Sequence, residues 1–128
     1  MDDVAVGETI RAVAAEEVMS RFRRLAAEDI VDRAGPQPLV TTADRRAEER
    51  LTEALTVLLP DSLVVGEQAA HSDPALLDRL HGRTPVWIVD PVDGTADFVR
   101  GDPHFATLVA LVEDGQPSAS WTYAPALA

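Results

Sequence analysis

Cysteine is absent from these 128 residues, which excludes a disulfide framework and any thiolate metal site. Long apolar runs are missing as well: none approaches the ~20 residues that a membrane-spanning helix requires. The first residues, Met1-Asp2-Asp3, are acidic and lead into no signal-like apolar core. Together these absences fit the cytoplasm and exclude a membrane partner. Basic charge is scarce, with 11 Lys and Arg against 22 Asp and Glu and a net charge of -11. A protein that grips a nucleic-acid backbone needs basic patches that displace counterions, so nucleic acid is not an expected partner. An acidic chain can still bind a phosphorylated small molecule when metal cations sit between the two. The plainer consequence of the charge is solubility.

What is present is ordinary for a globular domain: 46% hydrophobic and 26% charged residues, with length enough for one core. No internal repeat or low-complexity stretch occurs. Val6, Ile10, Val13, Ala14, Val18, Phe22 and Leu25 fall at helical spacing with charged residues between them, which predicts an amphipathic helix from Val6 to Leu25. Gly35-Pro36-Gln37-Pro38 breaks regular structure. A second helix begins near Thr41 or Thr42, buries Ala47, Leu51, Leu55 and Leu58, and stops at Pro60. Ser62 to Gly66 reads as a short strand ending at Glu67, and residues 74–80 as a short helix capped by Asp73. Val86 to Val89 is fully apolar and reads as a strand buried on both faces. Phe105 to Val112 and Ser118 to Tyr123 read as two further strands joined by a hairpin turn at Asp114-Gly115. Helices followed by strands predict an α+β fold, helix layered on sheet.

The chemistry concentrates in Asp90-Pro91-Val92-Asp93-Gly94-Thr95, just past a buried strand. A carboxylate leaving such a strand needs a partner or carries a cation. Asp90 and Asp93, on a turn stiffened by Pro91, can aim at one point, and the Val92 carbonyl lies between them. Magnesium, a hard ion, takes such oxygen ligands. Gly94 and Thr95 precede a helical turn from Ala96 to Arg100, whose first amides suit phosphate. Thr95 also offers a hydroxyl that can orient water. On spacing alone a second account stays open: Asp-Pro-x-Asp-Gly is a common way to leave a strand, because each residue favours turns.

The run Trp87 to Val99 resembles the first signature of the inositol monophosphatase family. Leu39-Val40-Thr41-Thr42-Ala43-Asp44 is similar to the family's "LVT-x-x-D", Val65-Gly66-Glu67 to its "GEE" segment, and Tyr123-Ala124-Pro125 fits as well. The resemblance implies the layered sugar-phosphatase fold shared with fructose-1,6-bisphosphatase, and metal-dependent hydrolysis of a small phosphomonoester such as inositol monophosphate or histidinol phosphate. It implies that Glu67, Asp90 and the Val92 carbonyl hold one Mg2+, and that Asp90 and Asp93 hold another. It further implies that the Gly94 and Thr95 amides bind phosphate, and that Asp44, Glu67 and Thr95 act in catalysis. Homodimers are common in the family.

By the same resemblance, residues 1–128 correspond to the family's N-terminal half. The "WD" motif whose aspartate completes the second metal site has no counterpart here, since Trp121 is followed by Thr122. The expected alternatives are therefore a catalytically incomplete metal-binding remnant, or an interaction module with no chemistry. Gln68 replaces the second glutamate of "GEE", Asp97 stands where asparagine is frequent, and Pro36-Gln37-Pro38 stands where a lysine often precedes "LVT". Asp44 also suits the first turn of a helix, and Thr95 a cap. His71, His81 and His104 read as surface or loop residues, Arg100 as solvated, and Trp87 and Trp121 as packing. The run Arg45 to Arg50 reads as a solvent face of paired charges.

Overall fold

Asp2 opens the first helix, its carboxylate accepting from the Ala5 amide at 3.0 Å and so satisfying a donor that has no partner within the helix. Helix α1 (Asp3–Val13) buries Val6, Ile10 and Val13. The computed structural model describes residues 1–33 and 39–128, so the predicted break at Gly35-Pro36-Gln37-Pro38 lies outside the described residues. The helical stripe stops short of Leu25. Beyond α1 the turns widen to a π-helix over Ala14–Met19. There Ser20 Oγ donates to the Glu16 carbonyl at 2.6 Å, and Arg21 Nη1 to the Glu17 carbonyl at 2.8 Å. Side chains thus take up carbonyls that a continuing helix would use.

Strands β1 (Ile30–Asp32) and β2 (Leu39–Thr41) pair antiparallel. Neither was foreseen, because three residues carry no readable period. Helix α2 (Thr42–Leu58) starts with a capping box: Thr41 Oγ1 accepts from the Asp44 amide, and the Asp44 carboxylate accepts from the Thr41 amide. Of its expected apolar face Ala47, Leu51 and Leu55 are buried, while Leu58 is half-buried at the helix end and packs against the core. Strand β3 (Leu63–Gly66) leads straight into helix α3 (Glu67–Ser72), which no periodicity announced. The helix expected at 74–80 is a 3-10 helix, Pro74–His81.

Strand β4 (Val86–Asp93) runs four residues past the apolar stretch that announced it. Helix α4 (Thr95–Arg100) follows, then β5 (Ala106–Glu113) and β6 (Gln116–Tyr123). Asp114 (φ 51°) and Gly115 (φ 74°) make the β5–β6 turn, both in the left-handed region that suits the twist of a two-residue hairpin. Sheet order is β3-β4-β5-β6, with β3 parallel to β4 and the other pairs antiparallel. Helix α2 packs on β4, and α1 on α2. Between these layers lies a core that includes Leu51, Leu55, Trp87, Val89, Val109 and Leu111. The α+β layering read from the sequence is what the chain adopts. Among the described residues no helix is long and apolar enough to cross a membrane.

Phe98, fully buried on α4, stacks on Phe22 at a centroid distance of 5.8 Å and meets Phe105 edge-on at 5.0 Å. These contacts pin α4 to the core and with it Thr95, one turn earlier. Trp87 packs inside and donates from Nε1 to Ser62 Oγ at 3.1 Å.

Candidate metal and phosphate site

The parallel register decides which acidic residues meet. Gly66 pairs with Val89 across β3 and β4, so the next residue on each chain, Glu67 and Asp90, stands at the same end of neighbouring strands. Carboxyl ends of parallel strands are where α/β sheets place their ligand sites. Residues 23 positions apart are thereby neighbours, an arrangement that no local pattern in the sequence announces.

Glu67 is the first residue of α3, and both its oxygens are engaged. Arg33 Nη2 pairs with Oε1, and Gln68 Nε2 donates to Oε2. Arg33 Nη1 also donates to Gln68 Oε1 at 3.0 Å. Beneath this group lies Glu48. The reading of Arg45 to Arg50 as a solvent face of paired charges holds for Arg45, Arg46 and Glu49, with Arg46 paired to Glu49. It is corrected at Glu48, which is buried, its carboxylate accepting from the amides of Gln68 at 2.7 Å and Ala69 at 3.0 Å. It caps α3 from another element, giving orphan N–H groups a charged acceptor. Arg50, half-exposed, pairs with Glu16 and Glu17 on the neighbouring helical segment.

The turn Asp90 to Thr95 begins with a register shift between β4 and β5 at Asp90 and Asp93, an irregularity of the kind that re-aims side chains. Asp90 is half-buried and Asp93 exposed. Burial pushes the Asp90 carboxyl up to about 7, helped by the charges of Asp93, Glu67, Asp44 and Glu48. That field is the observation against which a cation is tested. It is negative and comes from hard oxygen donors, and it adds to burial in disfavouring the ionised acid, so it matches a hard divalent ion. Among the described residues, however, no three His, Asp or Glu side chains converge tightly enough to hold a metal as they stand. Asp90 and Asp93 fit the ion, while Glu67 faces Arg33.

Gly94, at φ 90°, is the N-cap of α4. A Cβ there would meet the His104 carbonyl at 3.1 Å, so both conformation and space call for glycine. Thr95 is the first helical residue. Its Oγ1 lies 3.0 Å from Asp44 Oδ1 and 3.0 Å from the Val92 carbonyl, and can donate to either. Asp44 Oδ2 accepts from the Thr41 amide at 2.8 Å and Thr41 Oγ1 at 2.7 Å. Asp44 thus does two things at once, closing the α2 capping box and meeting Thr95. Its carboxyl is pushed up by burial, against the pull of these hydrogen bonds.

The structure brings Asp44, Val92 and Thr95 into one hydrogen-bonded group, and sets Glu67 beside Asp90 at adjoining strand ends. Sequence reasoning missed Glu48 and Arg33. The signal for Glu48 was its place on the buried stripe of α2, one position after Ala47 and three before Leu51. Arg33 carried none. The histidines are exposed as read; His104 Nδ1 lies 2.6 Å from Asp102 Oδ1. Arg100 is exposed and paired with Asp97. Beside the turn, Asp93, Gly94, Asp97, His104, Phe105 and Leu127 line an open cleft of about 420 Å³.

The model of the inositol monophosphatase family matches residues 2–128. A histidinol-phosphatase of Mycobacterium tuberculosis is 46% identical over 88 residues, covering 69% of this chain and 31% of that protein. An inositol-1-monophosphatase of Caulobacter vibrioides is 38% identical over 86 residues, covering 67% of this chain and 31% of that protein. Among solved structures, a Thermotoga maritima IMPase superposes with a TM-score of 0.80 at 28% identity, covering 99% of this chain and 46% of that one. The chain spans about a third of the length of these two curated relatives.

Proposed function

The chain belongs to the inositol monophosphatase family, and from that premise we propose that it serves the magnesium-dependent hydrolysis of a small phosphomonoester. The observation that carries the reading is the negative field at Asp90, built by four further carboxylates, beside the Asp44–Thr95 hydrogen bond. A phosphate ester is itself anionic and approaches such a field only when cations intervene.

Asp90, the Val92 carbonyl and Glu67 would hold one Mg2+, and Asp90 with Asp93 a second. The ion, when bound, neutralises phosphate charge and acidifies water. The amides of Gly94 and Thr95 would receive the phosphate oxygens, since glycine at the α4 cap lets an anion approach the backbone closely. Thr95 Oγ1 donates to Asp44 Oδ1, leaving its lone pairs to accept from an attacking water. As the water's proton passes to Thr95 Oγ1, the hydroxyl's own proton passes to Asp44 Oδ1. Burial makes Asp44 the stronger base for that role. The substrate class is a phosphorylated polyol or amino alcohol, for which inositol monophosphate and histidinol phosphate are the first candidates. Homodimerisation and a cytoplasmic location belong to the same reading.

The test is phosphate release from that substrate panel with and without Mg2+, for the wild type and Asp90→Asn. Magnesium-dependent release that Asp90→Asn abolishes supports the reading. Release indifferent to Mg2+, or unchanged in Asp90→Asn, overturns it. Calorimetric Mg2+ binding without turnover favours the incomplete metal-binding half-site, a reading supported by the lack of three converged ligands among the described residues.

A further inference from the structure

We infer that Arg33 is a tethered counter-cation for Glu67, holding that carboxylate in the metal-free chain and giving it up when a divalent cation enters. The inference rests on the metal-dependent reading above and concerns what competes for one of its ligands.

Three observations carry it. First, Arg33 pairs with Glu67 Oε1 while Gln68 donates to Oε2, so a cation reaching either oxygen competes with a donor already there. Second, the pair is shielded, with side-chain exposure of 14% for Arg33 and 26% for Glu67. Exposed ion pairs are nearly neutral in free energy, whereas a shielded, charge-assisted contact is stronger. Third, Glu67 is not simply drifting toward an arginine. Its backbone is fixed at the start of α3, where Glu48 binds the next two amides. The partner that reaches it, Arg33, comes from 34 positions away in the chain.

The geometry also shows how the exchange is balanced. Glu67, Asp90 and Asp93 share one end of the sheet, and Arg33 offsets the charge of Glu67. A divalent ion shared among them exceeds what a single guanidinium offers. Metal entry must nevertheless first break the Arg33–Glu67 pair, and the apparent affinity falls by the fraction of molecules in which Glu67 is available. Gln68 is part of the device. Glutamate at that position would repel Glu67, whereas the amide donates to it and accepts from Arg33, joining the three side chains into one unit.

The experiment is calorimetric titration of the full chain with MgCl2 for the wild type, Arg33→Met and Arg33→Lys, with thermal melts at each metal concentration. Arg33→Met is expected to bind Mg2+ about tenfold more tightly and to show a larger metal-induced rise in Tm. Arg33→Lys, which keeps charge but loses the fork, should fall between. In a Glu67→Gln background the Arg33→Met gain should vanish. Wild-type binding with equal or weaker binding in Arg33→Met overturns the inference and leaves the metal reading standing. Silence in every variant overturns the metal reading itself. Circular dichroism checks folding, and if Arg33→Met does not fold, Arg33→Lys and Arg33→Gln decide the matter.

Discussion

The carboxylate of Glu48 fills the space that a side chain on residue 66 would need: a Cβ built on Gly66 would lie 2.3 Å from Glu48 Cδ. The backbone at Gly66 is ordinary extended chain, with φ -91°, so contact rather than conformation requires glycine there. The two residues form one device, a gap and the acid that fills it, and the product is a capped α3 with Glu67 at its head.

Gly66→Ala should therefore force Glu48 aside and strand the Gln68 and Ala69 amides. A loss of about 1–3 kcal/mol is expected, the range for buried donors left unsatisfied. Glu48→Ala should cost a similar amount. Because both break the same contact, the double variant should lose clearly less than the sum of the singles. Urea denaturation of the four proteins measures this; strict additivity would show the two residues to be unconnected.

The share of stability that Asp90 contributes should fall as pH rises through the acidic range. Asp90 ionises near 3.8 in the unfolded chain and at about 7 in the folded one. Between those values the unfolded chain releases a proton that the folded chain keeps, so the Asp90 contribution is full below about 4 and is lost by about 7. It runs against the opposite slope from Glu17, Asp29 and Asp102, whose carboxyls are held low. Asp44 and Glu48 are shifted in the same direction, and a single variant isolates the Asp90 share. Without metal, Asp90→Asn should flatten part of the slope and gain about 1 kcal/mol above pH 7, a figure reduced for solvent screening. Denaturation midpoints at pH 5 and pH 8 test it; identical slopes would remove Asp90 as a source.

Thr95→Val deletes the hydroxyl that reaches Asp44 Oδ1 and the Val92 carbonyl. Leaving a buried acceptor without its donor should cost about 1–2 kcal/mol. Where the chain turns over substrate, the rate should fall about 100-fold or more. Thr95→Ser should restore both. A purely structural Thr95 would lose stability in Thr95→Val and keep its rate per folded molecule.

Phe98→Ala empties the ring-packed anchor of α4 beside Phe22 and Phe105. A cost of about 3–5 kcal/mol is expected, the range for removing a core aromatic, with Phe98→Leu much milder. If Phe98 fixes Thr95 as described, Phe98→Leu should weaken phosphate competition more than it lowers Tm. Inorganic phosphate titration beside thermal melts gives both readings.

The local signals were readable because they are local. The apolar face of α2, the Thr41–Asp44 capping box and the Asp114-Gly115 turn each depend on residues within a few positions of one another, so propensity and period suffice. Element ends were less so. The widening of α1 at Ala14 depends on Ser20 and Arg21 taking backbone carbonyls, and the length of β4 depends on its partner β5.

The site divides along the same line. By itself the sequence determined the chemistry on offer: oxygen-bearing side chains without sulfur, the turn Asp90 to Thr95, and the acid and hydroxyl at Asp44 and Thr95. Only the tertiary structure decided their company. Parallel pairing of Gly66 with Val89 brought Glu67 beside Asp90, packing of α2 turned Glu48 inward, and Arg33 found Glu67 across 34 positions. The physical reason is range: propensities and caps act over one or two turns of chain, whereas electrostatics and close packing act through space and take no account of sequence separation.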